Sequence, residues 1–479
     1  MKVLRKVILE KGKKRLSRGG LRKLAQAGFF LLTVTAVSVA LPVHGETISG
    51  ALAKAYVFSP DLNVARASTR AIDENIARAI SGYRPTITAT ADVGLSRQER
   101  DSNGPQPATS LSTTPRGYGL QIQQNVWNGN RTINSVRQAD SQVLQSREQM
   151  RLSEQTLLNN AAAAYMDVLR DTAILNLRRN NVEVLQQQLR QTRERFNVGE
   201  VTRTDVAQSE AALAEGNSQV IVAQSNLQTR LANYRQFIGE PPRSLSPAQP
   251  LVRLVPANLN AAIGFSQKNH PQIQAALHNV DATALAVRIA EGQLYPTVNL
   301  TGSYSQRWDA QTPGLNTNTA SLVASLNIPI YEGGAVYALV RQTKEQMGQA
   351  RLQADLAREQ VRAQVVSAWG VWQNVTPLLE SAQARVRAEE IALNGVREEA
   401  RVGQRTTLDV LNAQQRLLAA RSDIVSVQRE RVVSSYSLLS SVGDLNARRL
   451  GLAVQNYDPT IHLEQVKGKW IGTRTPDGR

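Results

Sequence analysis

Two aspartates stand out by their spacing to glycine. Asp205 lies six residues after Gly199 in the run Arg195-Phe196-Asn197-Val198-Gly199-Glu200-Val201-Thr202-Arg203-Thr204-Asp205-Val206. Asp409 lies six after Gly403 in Val402-Gly403-Gln404-Arg405-Thr406-Thr407-Leu408-Asp409-Val410-Leu411-Asn412-Ala413. A glycine that stops one helix and an acid in the first turn of the next predict a helix–turn–helix. Read alone, the acids suit capping and a favourable interaction with the helix dipole. Other chemistry is poorly supplied. The chain has no cysteine and only four histidines (His44, His270, His278, His462), no two close enough for a ligand pair. That leaves no disulfide framework, thiolate metal site, Cys nucleophile or lipid-anchored N-terminal Cys. Ser, Asp and His residues form no catalytic motif, and Gly333-Gly334 after a strand marks a strand-to-helix turn rather than a phosphate loop. We therefore expect no catalytic residues, no metal site and no cofactor.

The elements that position the two aspartates follow from proline placement. Residues 116–240 and 378–458 contain no proline, whereas Pro241, Pro242, Pro247, Pro250 and Pro256 cluster in a linker over 241–263. Proline breaks helix interiors because it lacks the N–H donor and clashes with the preceding turn. The proline-free tracts, rich in Ala, Leu, Gln, Glu and Arg, predict very long helices. In the first, Val168, Leu175, Val182, Leu189 and Phe196 recur every seven residues, which implies a left-handed supercoiled seam. Asp171 and Arg178 spoil the companion stripe. The expected helices span about 128–197 and 204–238, then about 332–402 and 408–442. At 1.5 Å per residue the longer pair would reach roughly 105 Å. Pro377 predicts an interruption of the second long helix, a local kink absent from the first.

The two halves also match each other. Pro60 and Pro85 reappear as Pro271 and Pro296, an offset of 211. An offset of 204 then carries Trp127-Asn128-Gly129 onto Tyr331-Glu332-Gly333, Val198-Gly199 onto Val402-Gly403, and Asp205-Val206 onto Asp409-Val410. One offset holding over more than 100 residues predicts an internal duplication, with repeats at 46–240 and 264–443. Each repeat carries two segments of period-two alternation, about 86–97 and 117–127, then about 297–308 and 319–330. Ile87, Ala89, Ala91, Val93 and Leu95 alternate with Thr86, Thr88, Thr90, Asp92, Gly94 and Ser96. Tyr118, Leu120, Ile122 and Val126 form one face of the second segment, and Leu322, Ala324, Leu326, Ile328 and Ile330 one face of the fourth. Strands of this length, apolar on one side only, have the dimensions of outer-membrane barrel strands. Tyr83, Trp127, Tyr295 and Tyr331 sit at the same end of each hairpin, where membrane-interface aromatics belong. Four strands cannot close a membrane barrel, so copies must combine into 8, 12 or 16 strands.

Charge supports export rather than nucleic-acid binding. Of the net +17, residues 1–45 carry +9 and the remaining 434 carry +8. A long basic segment, the apolar stretch Leu24 to Leu41 and a small residue at Gly45 read as a signal peptide over 1–45. No nucleic-acid partner is expected. The basic tail, 444–479, has no assigned role and is expected to be mobile.

Duplication, strand placement and the paired motifs together resemble the TolC-type outer-membrane efflux proteins, over about 46–450. The resemblance implies a mixed α/β membrane protein whose four strands join those of two other copies. The homotrimer would form a 12-stranded β-barrel continued by a long α-helical coiled-coil barrel. It implies an outer-membrane location extending into the periplasm, contact with outer-membrane lipid, a periplasmic adaptor and an inner-membrane transporter. The function implied is a passive duct for drug efflux or type I secretion, gated at its periplasmic end. Asp409 would line that entrance as a ring of three acids, which attracts cations. Asn412 stands where the family often has a second acid. Arg405 would hold the mouth shut through neighbours near Thr204 and Asp205, and Ala400 replaces an aromatic closing partner. An exported coiled-coil adhesin and an ungated porin are the alternatives; neither explains both the hairpins and helices about 100 Å long.

Overall fold

A computed structural model describes residues 45–100 and 109–478. The expected signal peptide, apart from Gly45, lies outside the described residues. The chain opens with α1 (Ile48–Phe58) and α2 (Pro60–Ile80). Ser59 divides them, its hydroxyl accepting from Leu62 N while Pro60 occupies the first helical position, where a missing N–H does no harm. A 3-10 turn (Ser81–Tyr83) leads into β1 (Thr86–Val93), followed by β2 (Ser96–Arg100), β3 (Thr109–Thr113) and β4 (Arg116–Trp127). Then come α3 (Arg131–Asn197) and α4 (Arg203–Ile238). Beyond the proline-rich segment the order recurs: α5 (Leu259–Asn269), α6 (Pro271–Glu291), a 3-10 turn, β5 (Thr297–Trp308), β6 (Asn316–Asn327), α7 (Ala335–Arg401) and α8 (Thr407–Val442). A short α9 (Thr460–Lys467) follows. Helices α3 and α7 each have 67 residues, and α4 and α8 each have 36.

The main sheet is antiparallel, in the order β1-β4-β5-β6. Its register puts Ile87, Ile122, Gly302 and Leu322 in one row and Ala89, Leu120, Tyr304 and Ala320 in the next. All face the same way because side chains alternate along a strand. The opposite face is polar: Arg307 pairs with Asp92 at 3.2 Å, Asn125 donates to Asn299 at 3.0 Å, and Ser303 and Ser321 are 2.7 Å apart.

Three strand details differ from the sequence expectation. β1 stops at Val93, where Gly94 N bonds to Pro115 O, and β2 and β3 form a separate hairpin. A bulge makes Val126 the extra residue, so that Trp127, not Val126, pairs with Val298 and joins the apolar face. β6 begins and ends about three residues earlier than expected, and its end falls before Pro329, which cannot donate to a ladder. At the hairpin-to-helix junction Gly129 has φ +64°, and a Cβ there would collide with the Gly292 carbonyl. Both conditions require glycine.

Helix α7 runs through Pro377 without a break, a correction to the expected interruption. Burial of Val375 and Leu379 on either side holds the helix together where one backbone bond is missing. The polar positions that spoiled the apolar stripe have partners. Asp171 meets Arg170 at 2.7 Å and Arg230 at 3.5 Å, and Arg178 donates to Gln219 at 2.6 Å. Asp167 adds Arg429 at 2.8 Å, so this network joins α3, α4 and α8.

The principal core sits where α1, α3, α4 and α8 meet, around Leu52, Leu158, Tyr165, Tyr234, Ile238, Tyr436 and Leu445. The Tyr165 hydroxyl lies 2.6 Å from both the Glu46 and Ser246 carbonyls, and burial pushes its pKa up to about 12. The tail is not loose, contrary to expectation. Leu445 and Ala447 are buried, Ala447 N donates to Glu154 at 2.8 Å, and Tyr457 N donates to the Tyr56 hydroxyl at 3.1 Å. Helix α9 lies on α2 through Val466 and through His462, 3.1 Å from buried Asp73.

His270 caps α6, its Nδ1 accepting from Gln272 N at 3.2 Å. Burial, helped by nearby Arg151, lowers its pKa from 6.5 to about 4. The unfolded chain therefore binds a proton that the folded chain refuses between those values, and stability falls as pH drops from 6.5 toward 4. The full effect is about 3 kcal/mol. We expect His270→Asn, which keeps a capping side chain without titrating, to flatten this part of the pH profile in thermal denaturation. An unchanged slope would assign the dependence elsewhere.

Candidate functional site

The two helix turns are built alike. After α3, Gly199 takes φ +81°, its N–H bonds to Phe196 O at 3.0 Å, and Glu200 N bonds to Arg195 O at 2.9 Å. After α7, Gly403 takes φ +79°, with Gly403 N to Ala400 O at 3.3 Å and Gln404 N to Glu399 O at 2.9 Å. The left-handed glycine lets the chain reverse while the last carbonyls keep donors. Thr202 and Thr406 then start α4 and α8 with complete capping boxes. Asp205 N donates to the Thr202 hydroxyl at 3.3 Å, and the Asp205 carboxylate accepts from Thr202 N at 2.9 Å. The corresponding distances at Thr406 and Asp409 are 3.2 Å and 3.0 Å.

These bonds set the charge state of both acids. Asp409 is held below the usual carboxylate range by the Thr406 N–H, then the Thr406 hydroxyl, with Arg405 and Arg416 adding attraction. Asp205 is lowered by the Thr202 hydroxyl and N–H, with the Thr407 hydroxyl and Arg195 contributing less. Each is ionised at neutral pH and acts both as a cap and as a fixed negative charge.

The turns differ in the sense of their ion pairs. Arg195 Nε donates to Glu200 at 3.0 Å, a cation on the helix reaching an anion in the turn. Arg405 Nε donates to Glu399 at 2.8 Å, an anion on the helix meeting a cation in the turn. The charge order is thus reversed between otherwise equivalent turns. Within one chain Arg405 bonds to Glu399, not to Thr204 or Asp205. It is Thr407 of the second turn, largely buried, that lies against Asp205. Thr204 and Asn412 are exposed. Sequence reading missed Glu399 as the partner of Arg405; the six-residue spacing across a helix-stop glycine was the available signal.

The sheet carries the other candidate group. Trp127 and Tyr295 meet edge to face, ring centroids 6.5 Å apart, and Tyr83 and Tyr331 are exposed at the same helix-side end. The far end holds a second aromatic pair absent from the sequence reading. Tyr118 and Trp308 meet at a tilt of 55°, ring centroids 5.7 Å apart, and the Tyr118 hydroxyl donates to Gln306 at 2.6 Å. Cross-strand register brings them together; their separation of 190 positions concealed it. Among the described residues no group of acids and histidines could hold a metal ion, and no helix is long and apolar enough to cross a membrane.

Comparison with known proteins agrees with these features. The profile of the outer membrane efflux protein family matches residues 51–240 and again 263–444. The outer membrane efflux protein BepC of Brucella suis is 42% identical over 435 residues, covering 91% of this chain and 93% of that one. The outer membrane protein TolC of Escherichia coli is 26% identical over 429 residues, 86% of this chain and 85% of that one. The crystal structure of the Campylobacter jejuni CmeC outer membrane channel shares the fold with a TM-score of 0.75, at 16% identity over 88% of this chain and 89% of that one. With both halves matched by one profile and nearly the whole length aligned to its relatives, this chain belongs to the outer membrane efflux protein family.

Proposed function

We propose that the chain is one of three identical subunits of an outer-membrane exit duct. The observation that carries this reading is the four-stranded sheet. Among the described residues β1 and β6 have no outer neighbour in the sheet, and Ile87, Leu120, Ile122 and Leu322 on the apolar face are exposed. An open edge in hydrocarbon leaves backbone N–H and C=O groups without partners, so the edges need other copies. Three copies give twelve strands. Dimensions agree with membrane insertion. From Val298 to Trp308 a strand rises about 34 Å, which at a tilt near 40° is roughly 26 Å of bilayer, close to the usual apolar band.

Helices of 67 residues would carry the wall about 100 Å beyond the sheet. Exposed apolar residues on α7 (Leu352, Leu356, Leu378, Ile391) and on α4 (Ile221, Val222) supply faces for adjacent copies. The recurring element order is read as an internal duplication, each half contributing one hairpin and one helix pair. BepC is named for efflux and TolC for its place in the outer membrane. On that relation the duct works with a periplasmic adaptor and an inner-membrane transporter, in efflux or type I secretion. It has no catalytic role of its own: transport is passive and the partner supplies the energy.

Control falls to the helix turns, at the end of the helices far from the sheet. Three copies of Asp409 form an acidic ring at the entrance, without a second ring because Asn412 is neutral. Arg405, held by Glu399 and close to Asp409, keeps the turn in its closed arrangement. In planar bilayers Arg405→Ser should raise single-channel conductance; no change would remove Arg405 from the gate.

Asp409→Asn keeps an acceptor for Thr406 and removes only the charge, so block by multivalent cations should weaken while the fold persists. In the unmodified protein the block should remain at about pH 5 and fade only in the acid range below ordinary carboxylates. Loss of block at higher pH would argue against Asp409 as its source. A deletion strain should become drug-sensitive or lose secreted proteins, and unchanged phenotypes in both assays would sink the proposed role.

A further inference from the structure

The tail ends in an unusual place. Having crossed α2 through His462 and Val466, it delivers Trp470 to the start of the sheet. The Arg84 guanidinium lies over the Trp470 ring, 4.5 Å from its centroid, and also donates to the Lys469 carbonyl at 2.7 Å. Arg84 follows Tyr83 and precedes the first strand by two residues, so Trp470 stands level with the helix-side aromatics. Apart from that guanidinium the pair stands open beside the sheet, with Trp470 68% exposed and Ile471 93% exposed. Lys467, Lys469 and Arg474 flank them in sequence and are exposed, with no ion pair among the described residues, the Lys469 ammonium donating to the Arg474 carbonyl at 3.3 Å.

We propose that residues 467–474 form a membrane-surface anchor that binds anionic phospholipid at the periplasmic face of the outer membrane. This rests on the reading of the sheet as membrane-inserted. Trp470 and Ile471 enter the headgroup boundary, where an indole satisfies both its apolar ring and its N–H. Lys467, Lys469 and Arg474 meet phosphate, as basic residues beside an apolar anchor do at anionic membranes. Continuity with the Tyr83, Trp127 and Tyr295 belt sets the depth. A second copy is the less suitable occupant: residues 46–479 carry a net +8, and the anchor itself is basic. The buried His462–Asp73 contact and Val466 hold the segment to α2, so lipid bound there would brace the helix–sheet junction.

The absence of cysteine allows single thiols to be labelled without background. Ile471→Cys, at a fully exposed position, carries a polarity-sensitive fluorophore on the full-length protein. The protein is reconstituted in phosphatidylcholine vesicles with or without phosphatidylglycerol. Spin-labelled headgroup lipids should quench the probe, more strongly with phosphatidylglycerol present. Each basic residue near such a surface contributes roughly fivefold to partitioning, so replacing Lys467, Lys469 and Arg474 by Gln should lower it on the order of a hundredfold. Those changes spare His462 and Val466, which seat α9.

A probe equally open to aqueous iodide in both lipids would overturn the proposal. Shielding that is the same in lipid-free detergent would do so too, by assigning the segment to another copy. A matching probe at Leu322→Cys, on the apolar sheet face, separates the two readings. If Leu322 is quenched and Ile471 is not, the anchor fails while the barrel stands; if neither is quenched, the barrel reading fails as well.

Discussion

Backbone hydrogen bonding is the constraint on which this structure turns. A strand in water can leave an edge open, because water supplies the missing partners; a strand in hydrocarbon cannot. Among the described residues one sheet has four strands, an exposed apolar face and two unpaired edges. Such a sheet is unsuited both to water, which penalises the face, and to lipid as a single copy, which penalises the edges. Closure by further copies, as proposed above, would remove both costs at once. The two long helices have 67 residues each, the equal heights that a wall built from both halves would need.

The far ends of those helices face a different problem. A reversal at the end of a long helix exposes unpaired carbonyls and N–H groups within a few residues. Gly199 and Gly403 satisfy the carbonyl side through left-handed turns, and the Thr202–Asp205 and Thr406–Asp409 boxes satisfy the N–H side. Each solution holds a carboxylate in its ionised form at neutral pH, because the capping hydrogen bonds that close the turn also favour the charged state. Structural necessity thus provides a permanent charge that a channel entrance can use. The reversed ion pairs, Arg195–Glu200 against Glu399–Arg405, show that equivalent turns need not be electrostatically alike.

The tail adds a link between the helical region and the sheet. It leaves α8, fills the core with Leu445, follows α2 and ends against Arg84. Its basic composition suggested a loose extension. Burial of Val466 and His462 shows instead that a few apolar and polar anchors, spaced along an otherwise charged segment, are enough to seat it. Composition averages over such anchors and so conceals them.

Much of this protein was legible in its sequence. Proline-free tracts marked α3, α4 and α8, period-two alternation marked the strands, and the two glycine–aspartate spacings marked the turns, because each signal is local and arises from backbone sterics or side-chain direction. Partners distant in sequence were decided by tertiary structure alone. Pairing of Tyr118 with Trp308 depends on cross-strand register, and transfer of Trp127 to the apolar face depends on a bulge at Val126. The same holds for Asp171, which looks like a flaw in an apolar stripe until Arg230 of α4 arrives beside it. Pro377 passes inside an unbroken helix because neighbouring packing outweighs one missing bond. Local chemistry specifies the elements; only their packing, where burial and register compete, decides which side chains meet.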